Sequence, residues 1–264
     1  MSALQQPQSD KNKLLAFLRE EGVESVGITL DGADTCIMCA FPYYCSALNR
    51  TGNLSYYTQC LDYHVIVKDK LEKTAHFLRN EIGAQKAACF TDVGAPVEKK
   101  LAVAAGIGIQ GKNALVISPL YGTYFFIGYI RTDLDLPTDP PLKGGCANCG
   151  MCVKSCPGTA LNDGLDALRC ASYISQKRGR LTDDEAEILH RSGYVFGCDI
   201  CQKVCPHNNV SFSPMKEFCV DIKESISLSE IEPLSNKEFL NRYGNRAFSW
   251  RGKNVLIRNL NIFK

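Results

Sequence analysis

Residues 146–157 read Cys146-Ala147-Asn148-Cys149-Gly150-Met151-Cys152-Val153-Lys154-Ser155-Cys156-Pro157. Three cysteines each separated by two residues, then a fourth after three, then a proline, is the spacing with which three thiolates wrap one [4Fe–4S] cube while the fourth reaches a second cluster. Further on, Cys198-x2-Cys201-x3-Cys205-Pro206 supplies three more thiols, one short of a second set, and Cys170 is the cysteine that completes it. Cross-ligation then assigns Cys146, Cys149, Cys152 and Cys205 to one cluster and Cys156, Cys170, Cys198 and Cys201 to the other. Four-cysteine zinc sites are the competing reading, but they rarely use the three-cysteine run or the Cys-Pro ending.

The stretch just upstream, with Pro137, Pro140, Pro141, Gly144 and Gly145, is breaker-rich and marks a boundary. Before it, helical and strand-like patterns mix. Residues 10–21 predict an amphipathic helix capped by Asp10 and stopped by Gly22, and residues 62–82 a long helix ended by Gly83. Strands are expected at 23–30, 36–41, 86–91, 114–118 and 124–131, with a helix over 97–105. The expected architecture is α+β: a mixed-sheet domain over residues 1–136, a ferredoxin-like double-cluster domain over 137–220 and a basic helical segment over 221–264.

Composition fits this. Of 264 residues, 45% are apolar and 22% charged, ample for a buried core, and 30 Lys+Arg against 28 Asp+Glu leave a net charge of +2. Global charge therefore announces neither a nucleic acid nor a membrane, and any such contact has to come from local clustering. The N-terminal MSALQQPQSDKNK lacks an apolar signal core and no stretch approaches a membrane span, so the expectation is a cytoplasmic protein. Fourteen cysteines in that compartment point to metal rather than disulfides. Cys36, Cys39, Cys45, Cys60, Cys89 and Cys219 read as buried apolar residues; an odd separation along a strand puts Cys36 and Cys39 on opposite faces.

Clusters carry electrons, and a carrier alone needs far less chain than this, so the first domain is where chemistry is expected. Phe90-Thr91-Asp92-Val93-Gly94-Ala95-Pro96-Val97-Glu98 sets a carboxylate at a strand end before a turn and a helix, a common place for reacting groups. Glycine-dense Gly106-Ile107-Gly108-Ile109-Gln110-Gly111-Lys112-Asn113 lacks the dinucleotide spacing.

From Asp62 onward the chain resembles the epoxyqueuosine reductases, cobalamin- and iron–sulfur-dependent enzymes of tRNA modification. The resemblance rests on Asp62-Tyr63-His64, the Asp92–Glu98 run, Ala105-Gly106-Ile107-Gly108, Gly111-Lys112-Asn113, Gly122-Thr123-Tyr124-Phe125-Phe126-Ile127-Gly128 and Thr132-Asp133-Leu134-Asp135-Leu136-Pro137. Both cysteine runs, Arg169-Cys170-Ala171-Ser172-Tyr173 and Phe196-Gly197-Cys198-Asp199-Ile200-Cys201-Gln202 extend it, in matching order and spacing. It implies cobalamin bound with its base detached, fed one electron at a time by the clusters and by a low-potential donor upstream. Asp92 matches the family's proton-donating aspartate, expected to stay protonated by burial beside the corrin. The family's cobalamin contacts map onto Ser55, Lys112, Asn113, Leu115, Phe126, Ser172 and the loop of Cys198, Asp199, Ile200 and Cys201. The implied reaction removes the epoxide oxygen of wobble-position epoxyqueuosine as water, leaving queuosine.

A tRNA substrate calls for phosphate contacts. Lys177, Arg178 and Arg180 form one basic stretch. Residues 241–264 form another, with Arg242, Arg246, Arg251, Lys253, Arg258 and Lys264 interleaved with Tyr243, Phe248 and Trp250 and no acidic residue. Relative to longer family members, the resemblance implies a short form without the C-terminal helical-repeat domain. Rival readings are a dehalogenase-like reductase and a corrinoid or iron–sulfur electron carrier, distinguished by whether cobalamin binds and whether epoxyqueuosine turns over.

Overall fold

The computed structural model describes residues 5–45, 48, 51–92 and 95–264. In chain order the elements are α1 (Gln5–Glu20), β1 (Ser25–Asp31), β2 (Asp34–Pro42), α2 (Tyr56–Gln59), α3 (Tyr63–Phe77), β3 (Ala87–Thr91), α4 (Ala95–Ala104), β4 (Ile109–Gln110), β5 (Val116–Ile117) and β6 (Phe125–Thr132). They continue with α5 (Met151–Ser155), α6 (Ala171–Gln176), α7 (Asp183–Ser192), α8 (Ile200–Lys203), α9 (Leu228–Ile231), α10 (Asn236–Tyr243) and α11 (Lys253–Asn261). Among the described residues no helix is long and apolar enough to cross a membrane.

The chain divides into two units, one of Met1–Pro42, His64–Gly111 and Leu115–Cys146, the other of Tyr43–Tyr63, Lys112–Ala114 and Ala147–Lys264. In the first, four strands run in the order β1-β2-β6-β3. Every neighbouring pair is antiparallel, so the sheet is not mixed as expected. The reason is local at one edge: Asp31 pairs with Asp34 across Gly32 and Ala33, and so tight a turn can only return the strand on itself. Helices cover both faces. Gly128 of β6 lies beneath Val67 and Leu71 of α3, while Gly27 of β1 lies against the carbonyl of Ala105 just past α4. That double cover explains why 36–41 is an unbroken apolar run, every residue of it buried.

Helix α1 starts before Asp10, which sits inside it and accepts from the Gln6 amide rather than capping the end. Its C-terminus is as expected, with Gly22 at φ +80° and Val23 N–H bonded to Leu18 O at 2.8 Å. The long helix ends in a π-helical turn over Leu78–Ile82 and a left-handed Gly83. The expected 114–118 strand is reduced to β5, paired only with β4. Residues 137–146, expected to open the cysteine module, fold with the first unit. Lys11 Nζ donates to Pro137 O at 3.0 Å and to Asp139 Oδ1 at 2.7 Å, and Ile28 N–H donates to Asp139 Oδ2 at 2.9 Å.

The second unit is helical. Its larger core gathers Leu54, Val195, Phe196, Phe239, Phe248 and Leu256 among others. Residues 221–264 supply most of that core and so are no separate appendage. A smaller cluster of Ala171, Ile174, Leu181, Ile188 and Leu189 lies between α6 and α7. The early segment enters this unit as an extended piece. Val195 N–H donates to Asn53 O at 2.7 Å, Ser55 N–H to Phe196 O at 3.0 Å, and Leu54 bridges Phe196 in parallel.

Candidate active site and cluster loops

In the first unit Asp92 follows the last residue of β3 with φ +56°, a left-handed conformation that Asp tolerates better than most residues. Its Oδ2 lies 3.7 Å from Nε2 of His64, at the start of α3. Both side chains are about half exposed, 54% for Asp92 and 49% for His64. The protein itself leaves the Asp92 carboxylate half exposed with a histidine facing it, and the burial expected beside a corrin concerns a group that is not part of the chain. Val93 and Gly94, the first half of the expected turn, lie outside the described residues. Beside this pair an open groove of about 620 Å³ runs between α3 and β3, lined by His64, Lys68, Arg79, Cys89, Phe90 and Thr91. The motif Asp62-Tyr63-His64 gives His64 no role by itself; only the fold brings it to Asp92, 28 residues away in sequence.

In the second unit the loop from Gly197 to Cys201 is fixed from several sides. Gly197 has φ +73°, and a Cβ there would stand 1.9 Å from Ser55 Oγ, so only glycine fits. Gly197 N–H donates to Ser175 Oγ at 3.0 Å, and Ser175 Oγ donates to Ser172 O at 2.8 Å. Asp199 is fully buried. Its carboxylate accepts from Tyr56 N–H at 2.7 Å and from the Gln202 amide at 3.0 Å, while burial pushes its pKa up to about 6. With that carboxylate turned inward, the thiols remain as the donors of the loop. Burial, and then the neighbouring charges of Asp199, Cys170 and Cys156, push the Cys198 thiol up to about 12. The Cys201 thiol is raised too, first by burial and then by Cys198, Cys170, Asp199 and Cys156. Both thiols feel the charges of Cys156 and Cys170, while among the described residues no group of three or more His, Cys, Asp or Glu side chains is arranged to hold a metal ion.

For the other set, α5, which carries the buried Cys152, packs on α8. Ala147 N–H donates to Nε2 of His207, two residues past Cys205, at 3.3 Å. Cys149 is exposed and Cys146 half-buried, the latter closing the first unit.

Two expected cobalamin contacts, Ser55 and Asp199, are completely buried among their own neighbours. Their side chains brace the loop, because Ser55 packs on Gly197 and Asp199 holds Tyr56 N–H. Asn113 is also buried. Lys112 is exposed, Ser172 and Ile200 half-buried, and Leu115 and Phe126 half-buried apolar residues in the first unit. Of the basic loop, Lys177 is committed to an ion pair with Glu185, which helps cap α7, so Arg178 and Arg180 are its exposed cations.

In the second basic stretch Arg242 and Lys264 are exposed, and several of the other cations are taken up by the protein itself. Arg246 is buried, donating to Gln59 O at 2.9 Å and pairing with Asp221 at 2.6 Å. Lys253 donates to Leu234 O, and Arg251 stacks on Trp250 at 3.5 Å.

The two Cys-Pro-ended cysteine loops of the helical unit are those of an iron–sulfur protein. Residues 145–208 match the model of a 4Fe-4S double cluster binding domain, and residues 25–93 match the model described as epoxyqueuosine reductase QueG, DUF1730. An epoxyqueuosine reductase of Lactococcus garvieae is 40% identical over 216 residues, covering 80% of this chain and 61% of its own length. One of Cyclobacterium marinum is 34% identical over 247 residues, covering 89% of this chain and 77% of its own. A crystal structure of an epoxyqueuosine reductase with a tRNA-Tyr epoxyqueuosine-modified stem loop superposes with TM-score 0.85 at 25% identity, over 96% of this chain and 80% of that one. The chain belongs to the epoxyqueuosine reductase family. It spans about three fifths of the Lactococcus garvieae relative.

Proposed function

We propose that this chain reduces epoxyqueuosine in tRNA to queuosine. The observation that carries the reading is the exposed Asp92 carboxylate at the end of β3, held in a left-handed conformation beside His64, in a chain of this family that also bears both cluster motifs. Backbone strain of this kind at a polar residue concentrates at reacting positions.

The departing epoxide oxygen leaves as water, which requires two electrons and two protons. Asp92 gives one proton to that oxygen as general acid, and His64, within reach of the same carboxylate, reloads it. Cys146, Cys149, Cys152 and Cys205 hold one cluster; Cys156, Cys170, Cys198 and Cys201 hold the other. The match of residues 145–208, which contain all eight of these cysteines, to a 4Fe-4S double cluster binding domain supports this. The cobalamin contacts that the family resemblance implies are the half-exposed apolar Leu115 and Phe126 of the first unit and, in the second unit, Lys112, Asn113, Ser172 and the 198–201 loop. Cobalamin, when bound, supplies a strongly reducing cobalt for the epoxide carbon. Arg178 and Arg180 meet RNA phosphates.

The test is anaerobic turnover of protein reconstituted with clusters and cobalamin, using a strong reductant and an epoxyqueuosine-containing anticodon stem–loop, with queuosine read by mass spectrometry. Asp92→Asn is expected to lower the rate by about 10²- to 10⁴-fold with iron and cobalamin content unchanged. Wild-type turnover in that variant would refute the acid, and no queuosine from protein carrying both cofactors would refute the function.

A further inference from the structure

Arg258 and Asn259, adjacent on α11, sit at the junction of three pieces of the second unit. Asn259 is fully buried, and its Nδ2 donates to Ser175 O and to Val195 O, both at 2.7 Å. Its Oδ1 accepts from Arg258 Nε at 3.0 Å and from the adjoining terminal nitrogen at 2.7 Å. The other terminal nitrogen of Arg258 donates to Lys177 O at 2.6 Å and to Gly179 O at 2.7 Å. A guanidinium has five N–H donors, and four hydrogen bonds leave Arg258 too little to grip a phosphate in fork fashion. The residues it holds flank Arg178, whose side chain is exposed, as is that of Arg180. Among the described residues neither of these two has an ion-pair or hydrogen-bond partner.

We propose that Arg258, oriented by Asn259, is a positioning residue for RNA binding: it fixes the carbonyls of Lys177 and Gly179 so that Arg178 and Arg180 present a preformed pair of cations to RNA phosphates. This rests on the proposed RNA substrate. Lys177, tied to Glu185 at the start of α7, anchors the same loop from its other side. Gly179 closes it with φ +79° and open space around its Cα. A loop pinned at both ends loses less conformational freedom on binding than a free one.

The test measures affinity of cluster-loaded protein for an unmodified anticodon stem–loop RNA at several salt concentrations, for wild type, R258K, R178A/R180A and the triple variant. R258K keeps the charge but cannot make the planar set of four bonds. The expected result is a Kd about tenfold weaker for R258K, with a salt slope reduced by about 1.4, as for two lost single-strand phosphate contacts. The triple variant should match R178A/R180A. Gly179→Pro, whose φ of about −65° cannot follow this loop, should weaken binding likewise while leaving every residue of α11 unchanged; it is the second arm should R258K lose iron or thermal stability. Weakened R178A/R180A beside R258K and Gly179→Pro of wild-type affinity and slope would overturn the positioning role. A further loss in the triple variant would make Arg258 a direct contact and overturn it too. Wild-type protein that fails to bind the stem–loop would overturn the RNA reading beneath it.

Discussion

Two stretches of this chain carry the same gap, Cys36-Ile37-Met38-Cys39 in β2 and Cys198-Asp199-Ile200-Cys201 in the second unit. In β2, Cys36 pairs with Arg131 and Cys39 with Gly128, so the pleat sends the thiols to opposite faces of the sheet. Burial pushes them up to about 11 and about 12, and they behave as small apolar residues. In the second stretch the backbone turns at the left-handed Gly197, and Cys198 and the N-cap Asp199 lead into α8, which carries Cys201. There the thiols belong, in the proposed assignment, to one cluster set with Cys156 and Cys170. The same spacing is thus two core thiols along a strand and, under the function proposed above, two cluster ligands on a turn that leads into a helix.

The sharpest attempt to break this contrast exchanges the thiols. Cys201→Ser should remove one cluster, about half of the iron, and with it all turnover; Cys39→Ser should keep the full iron content and cost about 1–3 kcal/mol by burying a hydroxyl. Iron and acid-labile sulfide analysis decides it, and iron loss in the Cys39 variant would erase the distinction.

A smaller effect tests how each stretch is held. The strand relies on its ladder, whereas the loop leans on the buried Asp199 carboxylate. Asp199→Ala leaves Tyr56 N–H and the Gln202 amide without their acceptor and should cost about 3 kcal/mol, read as a lower thermal midpoint. An unchanged midpoint would show that the loop holds without its brace.

The smallest effect is expected from acid. The Lys177 ammonium holds Glu185 below its usual 4.5, and the Ser235 hydroxyl does the same for Glu238. Carboxylates with depressed folded-state pKa values stabilise fully above the unfolded value and lose that contribution as pH falls through the folded one. Below about pH 4.5 the first turns of α7 and α10 should therefore loosen ahead of β2. Hydrogen exchange across 182–186 and 235–239 against 36–41 would report it, and equal protection at low pH would deny it.

Sequence made some of this legible and hid the rest for identifiable reasons. The long helix was readable because Leu71, Phe77 and Leu78 recur at helical intervals before Gly83, although Val65, read with them as apolar-face, is exposed and Val67 is the buried residue. The runs in β2 and β6 were readable because both faces are covered. Arg246, Lys253 and Arg258 were misleading: a count of charges cannot say whether a guanidinium meets solvent or backbone carbonyls, and here all three meet carbonyls. The linker prolines hid Asp139, whose partners Lys11 and Ile28 lie more than 100 residues away. Asp92 was visible as a carboxylate at a strand end, but its pairing with His64 and its exposure were not.

The parallel seam between Asn53-Leu54-Ser55 and residues 195–197 bears on how the molecule is made. Residues 43–63 leave the ribosome early, yet their partners come some 140 residues later, and Asn259 ties in later still. Contacts of such high order form slowly. The second unit must therefore close after translation has passed α11, and assembly of its metal centre belongs to maturation rather than to synthesis.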